Sequence, residues 1–295
     1  MSEIGTVGVL GCGQMGSGIA QVTALAGFDV IARDLQDDLL DRGRRTIEGS
    51  LERFVQKGKV ESGAAKAALK RISFTTRLES LTRADLIIEA VTEDLELKNL
   101  QWTALDSVCP PRTIFASNTS SLSIMSMATV TGRPDRFLGL HFFNPVPMMP
   151  LVEVVRTVAT APRVLEEATG FVRKLGKEPV AARDSAGFIV NRLLIPYLLD
   201  AIRALETGVA SPQDIDTGMK LGCGYPMGPL TLLDFVGLDT TLRVAEIMFD
   251  EFREPRFAPP PLLRRMVLAG WYGKKSGKGF YDWSVNPPVP SELGL

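Results

Sequence analysis

For its first 184 residues the chain alternates short apolar runs with longer stretches of mixed, helix-like pattern. That rhythm predicts strands alternating with helices, and so a largely parallel sheet covered on both faces. Strands are expected at Thr6 to Leu10, Val30 to Asp34, Asp85 to Val91 and Thr113 to Ser117. Further strands are expected at Phe137 to Leu140, Leu151 to Val155 and Glu178 to Ala182. Helices are expected over Ser17 to Ala26, up to Val108, and over 162 to 176. The charged stretch 35 to 71 predicts two helices broken near Lys57-Gly58-Lys59. At Asp184 the rhythm stops. Phe188 to Glu206 predicts one long apolar helix, helical segments follow, and no clear strand returns before the last residues. The expectation is therefore an α/β, Rossmann-like doubly wound sheet domain over 1–184, then an all-α domain over 185–295. The long helix is apolar around much of its circumference, which places it at the centre of its domain or in a dimer interface.

The first strand runs straight into Gly11-Cys12-Gly13-Gln14-Met15-Gly16 and then a helix. Strand, G-x-G-x-x-G, helix is the context a dinucleotide fingerprint requires. Gly11 permits the tight turn, Gly13 lets the backbone approach a pyrophosphate, and Gly16 allows helix and strand to pack closely. Asp34 ends the second strand, where an acid accepts hydrogen bonds from ribose hydroxyls and repels a 2′-phosphate. This favours NAD; Arg33 beside it keeps NADP open, because an arginine there can meet that phosphate.

His141, the single histidine of the chain, ends an apolar run and opens the loop Phe142-Phe143-Asn144-Pro145. Glu153 lies inside Leu151-Val152-Glu153-Val154-Val155, apolar on both sides. A buried glutamate needs a partner. Either it orients the imidazole as a general base, or it bonds backbone amides while the histidine sits at the surface. Glu93, Ser120 and His141 all fall just beyond the carboxyl ends of strands, where open α/β sheets bind ligands. Asn191 is a polar residue in the apolar helix, bonded within its domain or facing the cleft between domains.

Composition narrows the chemistry. A net charge of -1 gives no basic footprint for nucleic acid. No run is long and apolar enough to span a membrane, and the opening residues lack the pattern of a signal peptide. Cys12, Cys109 and Cys223 are scattered, which suits a reducing cytoplasm and gives neither a disulfide framework nor a metal site. Gly273 to Phe280 looks like a phosphate loop but has the wrong spacing.

Six motifs in one order then resemble the 3-hydroxyacyl-CoA dehydrogenase family, especially its 3-hydroxybutyryl-CoA dehydrogenases. They are GCGQMGSGIAQ from Gly11, SNTSSL from Ser117, HFFNPVPMMPLVEVVR from His141, GFIVNRLLIPYL from Gly187, YPMGPLTLLDFVGLD from Tyr225 and GKKSGKGFYDW from Gly273. The resemblance implies reversible NAD-linked oxidation of an (S)-3-hydroxyacyl-CoA. It implies that His141 is the base, Glu153 its orienting partner, Ser120 the ligand of the 3-oxygen, and Asn191 a substrate contact. It assigns Glu93, Lys98, Ser120, Asn144 and Lys275 to the cofactor, and Ser50 and Lys57 to coenzyme A. It further implies a homodimer formed through the helical domain. Tyr225 stands where many short bacterial members carry histidine, and tyrosine also occurs there. Rival readings are a dehydrogenase of an acyl-carrier-protein-bound or free hydroxy acid, and a non-enzymatic dinucleotide-binding protein.

Overall fold

A computed structural model describes residues 4–294. Met1 to Glu3, which belong to the opening stretch scanned for a signal peptide, and Leu295 lie outside the described residues. Two compact units divide at Phe188 and Ile189, against the boundary expected between 184 and 185.

The first unit contains β1 (Thr6–Leu10), α1 (Gln14–Leu25), β2 (Asp29–Arg33), α2 (Asp37–Gln56), α3 (Ser62–Lys70), β3 (Ile72–Thr75), β4 (Leu86–Glu89) and α4 (Leu95–Val108). It continues with β5 (Ile114–Ser117), α5 (Ile124–Ala128), β6 (Phe137–Phe142), β7 (Leu151–Arg156), α6 (Pro162–Lys174) and β8 (Glu178–Arg183). The eight strands form one sheet in the order β3-β2-β1-β4-β5-β6-β7-β8. Alternate strand residues feed two cores. Val7, Val9, Ile88 and Leu138 join one, while Leu10, Ile87, Phe115 and Phe137 join the other. In the second core Trp102 packs on Phe115 and Phe137 with ring centroids 5.1 and 4.7 Å apart. Helix ends follow local chemistry. The Asp94 carboxylate accepts the Leu97 amide at 3.0 Å and so caps α4. Asp37 and Asp38 open α2 and Arg53 lies in its last turn, both favourable to the helix dipole.

Two features depart from the simple alternation. β3 is a short edge strand directly after the helical stretch 35 to 71, where no strand is expected. The connection from β6 to β7 is a loop too short for a crossover helix, so β7 returns antiparallel to β6. β8 then runs parallel to β7. The reversal matters because it sets Glu153 directly opposite His141 in the pairing register.

The second unit contains α7 (Val190–Glu206), α8 (Pro212–Cys223), α9 (Pro229–Val236), α10 (Leu238–Phe252), α11 (Pro261–Leu268) and a two-stranded ribbon, β9 (Tyr281–Asp282) and β10 (Val289–Pro290). α7 packs against α9, α10 and α11 through Ile195, Leu198, Leu199, Ile202 and Leu205. That is a single buried stripe rather than burial all round, and Leu193 is 71% exposed. Gly273 to Phe280 forms a clasp, not a phosphate loop. The buried Asp234 carboxylate accepts the Phe280 and Tyr281 amides at 2.9 and 2.8 Å and the Trp283 indole N–H at 2.9 Å. A Cβ on Gly279 would stand 2.0 Å from that carboxylate, so the glycine is a packing requirement. Burial raises the Asp234 carboxyl above its ordinary value, against the pull of the three donors. Among the described residues no helix is long and apolar enough to cross a membrane.

Candidate functional site

The fingerprint loop has the shape its glycines require. Gly11 adopts φ +96° and its amide donates to the Arg33 carbonyl at 2.8 Å. A Cβ on Gly16 would lie 1.8 Å from the Gly11 carbonyl oxygen, so only glycine lets α1 approach β1. At Gly13, the N-cap of α1, a Cβ would meet nothing within 4 Å. No side chain caps this helix, so its first amides are left to an anion from outside.

Asp34 follows β2. Its Oδ2 accepts the Cys12 amide at 2.6 Å and its Oδ1 accepts the Leu35 amide at 2.7 Å. The carboxylate thus ties the glycine loop to the end of β2 and keeps lone pairs for ribose hydroxyls. Arg33 turns the other way: its guanidinium donates to the Thr76 carbonyl at 3.3 Å and to Gln101 Oε1 at 3.2 Å. These residues fit a dinucleotide without a 2′-phosphate. Cys12 is a packing residue. Burial, and secondarily the Asp34 charge, push its thiol up to about 12, so it stays protonated near neutral pH.

Asp34→Ala removes the ribose acceptor and unties the Cys12 amide together. Affinity for NAD should fall roughly tenfold, as expected for losing a hydrogen bond to a charged group, while affinity for NADP changes less or improves. Isothermal titration with both cofactors checks it. A wild-type chain with higher kcat/KM for NADPH than for NADH would contradict this role for Asp34.

The candidate catalytic residues gather at the ends of β5 and β6 and the start of β7. His141 is 6% exposed and Glu153 is fully buried. Their Nδ1–Oε2 separation is 2.6 Å. A carboxylate only accepts, so Nδ1 carries the proton and Nε2 keeps its lone pair. The rings of Phe143 and Phe188 lie 4.5 and 5.6 Å from the imidazole and exclude water from its flanks. On the neighbouring strand Asn118 accepts the Phe142 amide at 2.9 Å, which joins the β5 loop to the strand that carries His141. Ser120 lies two residues on, its amide donating to Glu93 Oε1 at 3.1 Å.

The other expected residues lie elsewhere. Gln14 Nε2 donates to Asn144 Oδ1 at 3.0 Å, which links the fingerprint to the loop after β6. Ser50 and Lys57 line a cavity of about 210 Å³ with Arg53, Lys59, Pro147 and Met148. That loop is pinned from behind by Lys177, whose Nζ donates to the Val146 and Met149 carbonyls at 2.7 and 2.6 Å. Lys98 is 1% exposed, held by Glu89 at 2.5 Å and Glu93 at 3.2 Å. Its surroundings are a buried charge cluster rather than an open surface. Asn191 and Lys275 belong to the helical unit. Asn191 lies in the first turn of α7, and Lys275 forms a half-exposed ion pair with Asp239 at 2.6 Å. Sequence reasoning passed over Asn118, Thr119 and Glu89. Glu89 carried the signal that exposed Glu153, an acid inside an apolar strand. Among the described residues no cluster of His, Cys, Asp or Glu could hold a metal ion.

Comparison with known proteins gives concordant matches. Residues 6–185 match the family described as 3-hydroxyacyl-CoA dehydrogenase, NAD binding domain, and residues 187–283 match 3-hydroxyacyl-CoA dehydrogenase, C-terminal domain. A 3-hydroxybutyryl-CoA dehydrogenase of Mycobacterium tuberculosis is 50% identical over 279 residues, 94% of this chain and 98% of the relative. The mitochondrial hydroxyacyl-coenzyme A dehydrogenase of Mus musculus is 48% identical over 284 residues, 94% of this chain and 90% of the relative. The crystal structure of a (S)-3-hydroxybutyryl-CoA dehydrogenase from Ralstonia eutropha superposes with a TM-score of 0.93 at 44% identity, over 96% of this chain and all of that one.

Proposed function

The chain belongs to the 3-hydroxyacyl-CoA dehydrogenase family, and from that premise we propose that His141 is the general base of an NAD-dependent (S)-3-hydroxyacyl-CoA dehydrogenase. The observation that carries the proposal is the buried 2.6 Å pair between His141 and Glu153. NAD, when bound, accepts the hydride from C3 of the substrate. His141 Nε2 takes the proton of the C3 hydroxyl as the carbonyl forms, and returns it in the reverse direction. Glu153 holds the ring in the productive tautomer and balances the charge of the imidazolium. The Ser120 hydroxyl donates to the C3 oxygen, and the resemblance carried by GFIVNRLLIPYL makes Asn191 a substrate contact. Gly11 to Gly16 and Asp34 would hold the pyrophosphate and ribose, while Glu93, Ser120 and Asn144 would hold the nicotinamide half.

Coenzyme A suits the Ser50–Lys57 cavity because Arg53, Lys57 and Lys59 ring it with positive charge. Substrates of the 3-hydroxybutyryl size are favoured by the likeness to 3-hydroxybutyryl-CoA dehydrogenases. A homodimer through the helical unit accords with the apolar residues that unit leaves exposed, among them Leu193 at 71% and Leu221 at 80%.

The test follows NADH at 340 nm with acetoacetyl-CoA, longer 3-ketoacyl-CoAs, carrier-bound analogues and a sugar acid. Acetoacetyl-CoA should be reduced with NADH in preference to NADPH. Lys57→Ala should raise KM for CoA thioesters about tenfold, the loss of one charge-assisted contact, with kcat nearly unchanged. Selective turnover of carrier-bound or free hydroxy acids, indifferent to Lys57, would replace the CoA assignment.

A further inference from the structure

Glu89 ends β4 and is fully buried. Its Oε1 accepts from Lys98 Nζ at 2.5 Å and from the Val91 amide at 2.8 Å; its Oε2 accepts from the Ser117 hydroxyl at 2.6 Å. Glu93 shares the same lysine through Oε2 at 3.2 Å, while its Oε1 takes the Ser120 amide and the Thr119 hydroxyl. The third acceptor near the lysine is the Val91 carbonyl at 3.4 Å. The ammonium therefore has no donor left over.

The charge count of this cluster is unbalanced. One lysine faces two carboxylates, one more than an ion pair needs. An unneutralised carboxylate is costly to bury, and a purely structural anchor would use Glu89 and Lys98 alone. Only Glu93 reaches the surface: its side chain is 23% exposed, against 0% for Glu89 and 1% for Lys98. The positive end of α4 does not cancel the excess, because the Asp94 carboxylate already caps it. The surplus negative charge is thus presented through Glu93, beside the Ser120 amide. On the cofactor placement proposed above, the nicotinamide ring lies there. That ring is cationic when oxidised and neutral when reduced, so a fixed negative charge discriminates between the two forms.

We propose that Glu89 is a positioning residue which, by sharing Lys98 with Glu93, leaves a net negative charge at the nicotinamide site and strengthens binding of the oxidised cofactor relative to the reduced one. The charge acts on the cofactor through Glu93, and the hydrogen bonds of Glu89 hold the β5 loop that presents Ser120. In this arrangement Lys98 serves the cofactor from beneath, by setting how much of the Glu93 charge remains.

The test measures dissociation constants of NAD+, NADH and ADP-ribose for the full chain by isothermal titration. Three proteins are compared: the wild type, Glu89→Gln, and Glu89→Gln combined with Lys98→Met. Glu89→Gln keeps the shape but leaves Lys98 to neutralise Glu93. NAD+ should then bind about tenfold more weakly, a typical coupling between two charges across a site. NADH and ADP-ribose, which carry no cationic ring, should change by less than about twofold on the same argument. The double variant removes one charge of each sign, restores the excess carboxylate on Glu93, and should return the ratio of NAD+ to NADH affinity toward the wild-type value. A melting curve for each variant checks that the fold is kept, and the comparison rests on the NAD+ to NADH ratio within each protein, which a general loss of folded protein does not change. Equal losses for NAD+ and NADH, or a double variant whose ratio stays with the single one, would overturn the proposal. Failure of the wild-type chain to bind either dinucleotide would instead remove the cofactor placement on which the proposal rests.

Discussion

His141→Gln should lower kcat for acetoacetyl-CoA reduction by roughly 10²–10⁴-fold, the contribution of a positioned general acid or base, while NADH still binds. Glutamine is the informative replacement. Its amide N–H can donate to the Glu153 carboxylate, so the buried acid is not abandoned. Alanine at the same position would leave that acid without its imidazole, and breaking a buried pair costs about 3–5 kcal/mol of stability. A loss of activity would then mix chemistry with unfolding. NADH affinity should change little, because none of the fingerprint residues bonds to the imidazole. Stopped-flow turnover, NADH fluorescence titration and a melting curve separate the effects. A variant that keeps more than a tenth of wild-type kcat would show that another group moves the proton.

Much of this site could be read from the chain because its signals are local. The fingerprint glycines fall within six residues at the junction of a strand and a helix, and at Gly11 and Gly16 a side chain would run into backbone. The single histidine at a strand end, and an acid inside an apolar strand, both stand out against their neighbours. The direction of β7 is a different kind of information. It follows from the eight residues between Phe142 and Leu151, a link too short to carry a crossover helix. β3 is only four residues long, with polar residues at alternate positions, too weak a pattern to separate from the helices before it. The clasp at Gly273 to Phe280 depends on Asp234, 46 residues upstream of Phe280, and no spacing rule connects them. Its glycines resemble an anion loop because both uses need backbone without side chains. Glu89 obeyed the same rule that revealed Glu153. What separates the two is the partner, an imidazole across the sheet in one case and a lysine nine residues along the chain in the other.

Glu153→Gln tests whether the pair acts as a unit. In the wild type the carboxylate can only accept, so the proton must sit on Nδ1 and the Nε2 lone pair is available to the substrate hydroxyl. The glutamine amide can turn its NH₂ group toward Nδ1. The ring then carries its proton on Nε2, where a base is needed, and the oxidation stalls. Even with the amide oxygen facing the ring, the imidazolium formed during oxidation has lost its counter-charge. Turnover should fall by roughly 10²–10⁴-fold, comparable to removing the base itself. Because the two residues serve one function, the double variant His141→Gln with Glu153→Gln should lose little more than either single variant. The size of the side chain is kept, so the melting temperature should move far less than activity does. Glu153→Asp adds a further arm: it preserves the charge but shortens the reach, and should recover part of the lost rate. Near-wild-type turnover in Glu153→Gln, or losses that multiply in the double variant, would make Glu153 a structural strand residue and leave His141 to act without it.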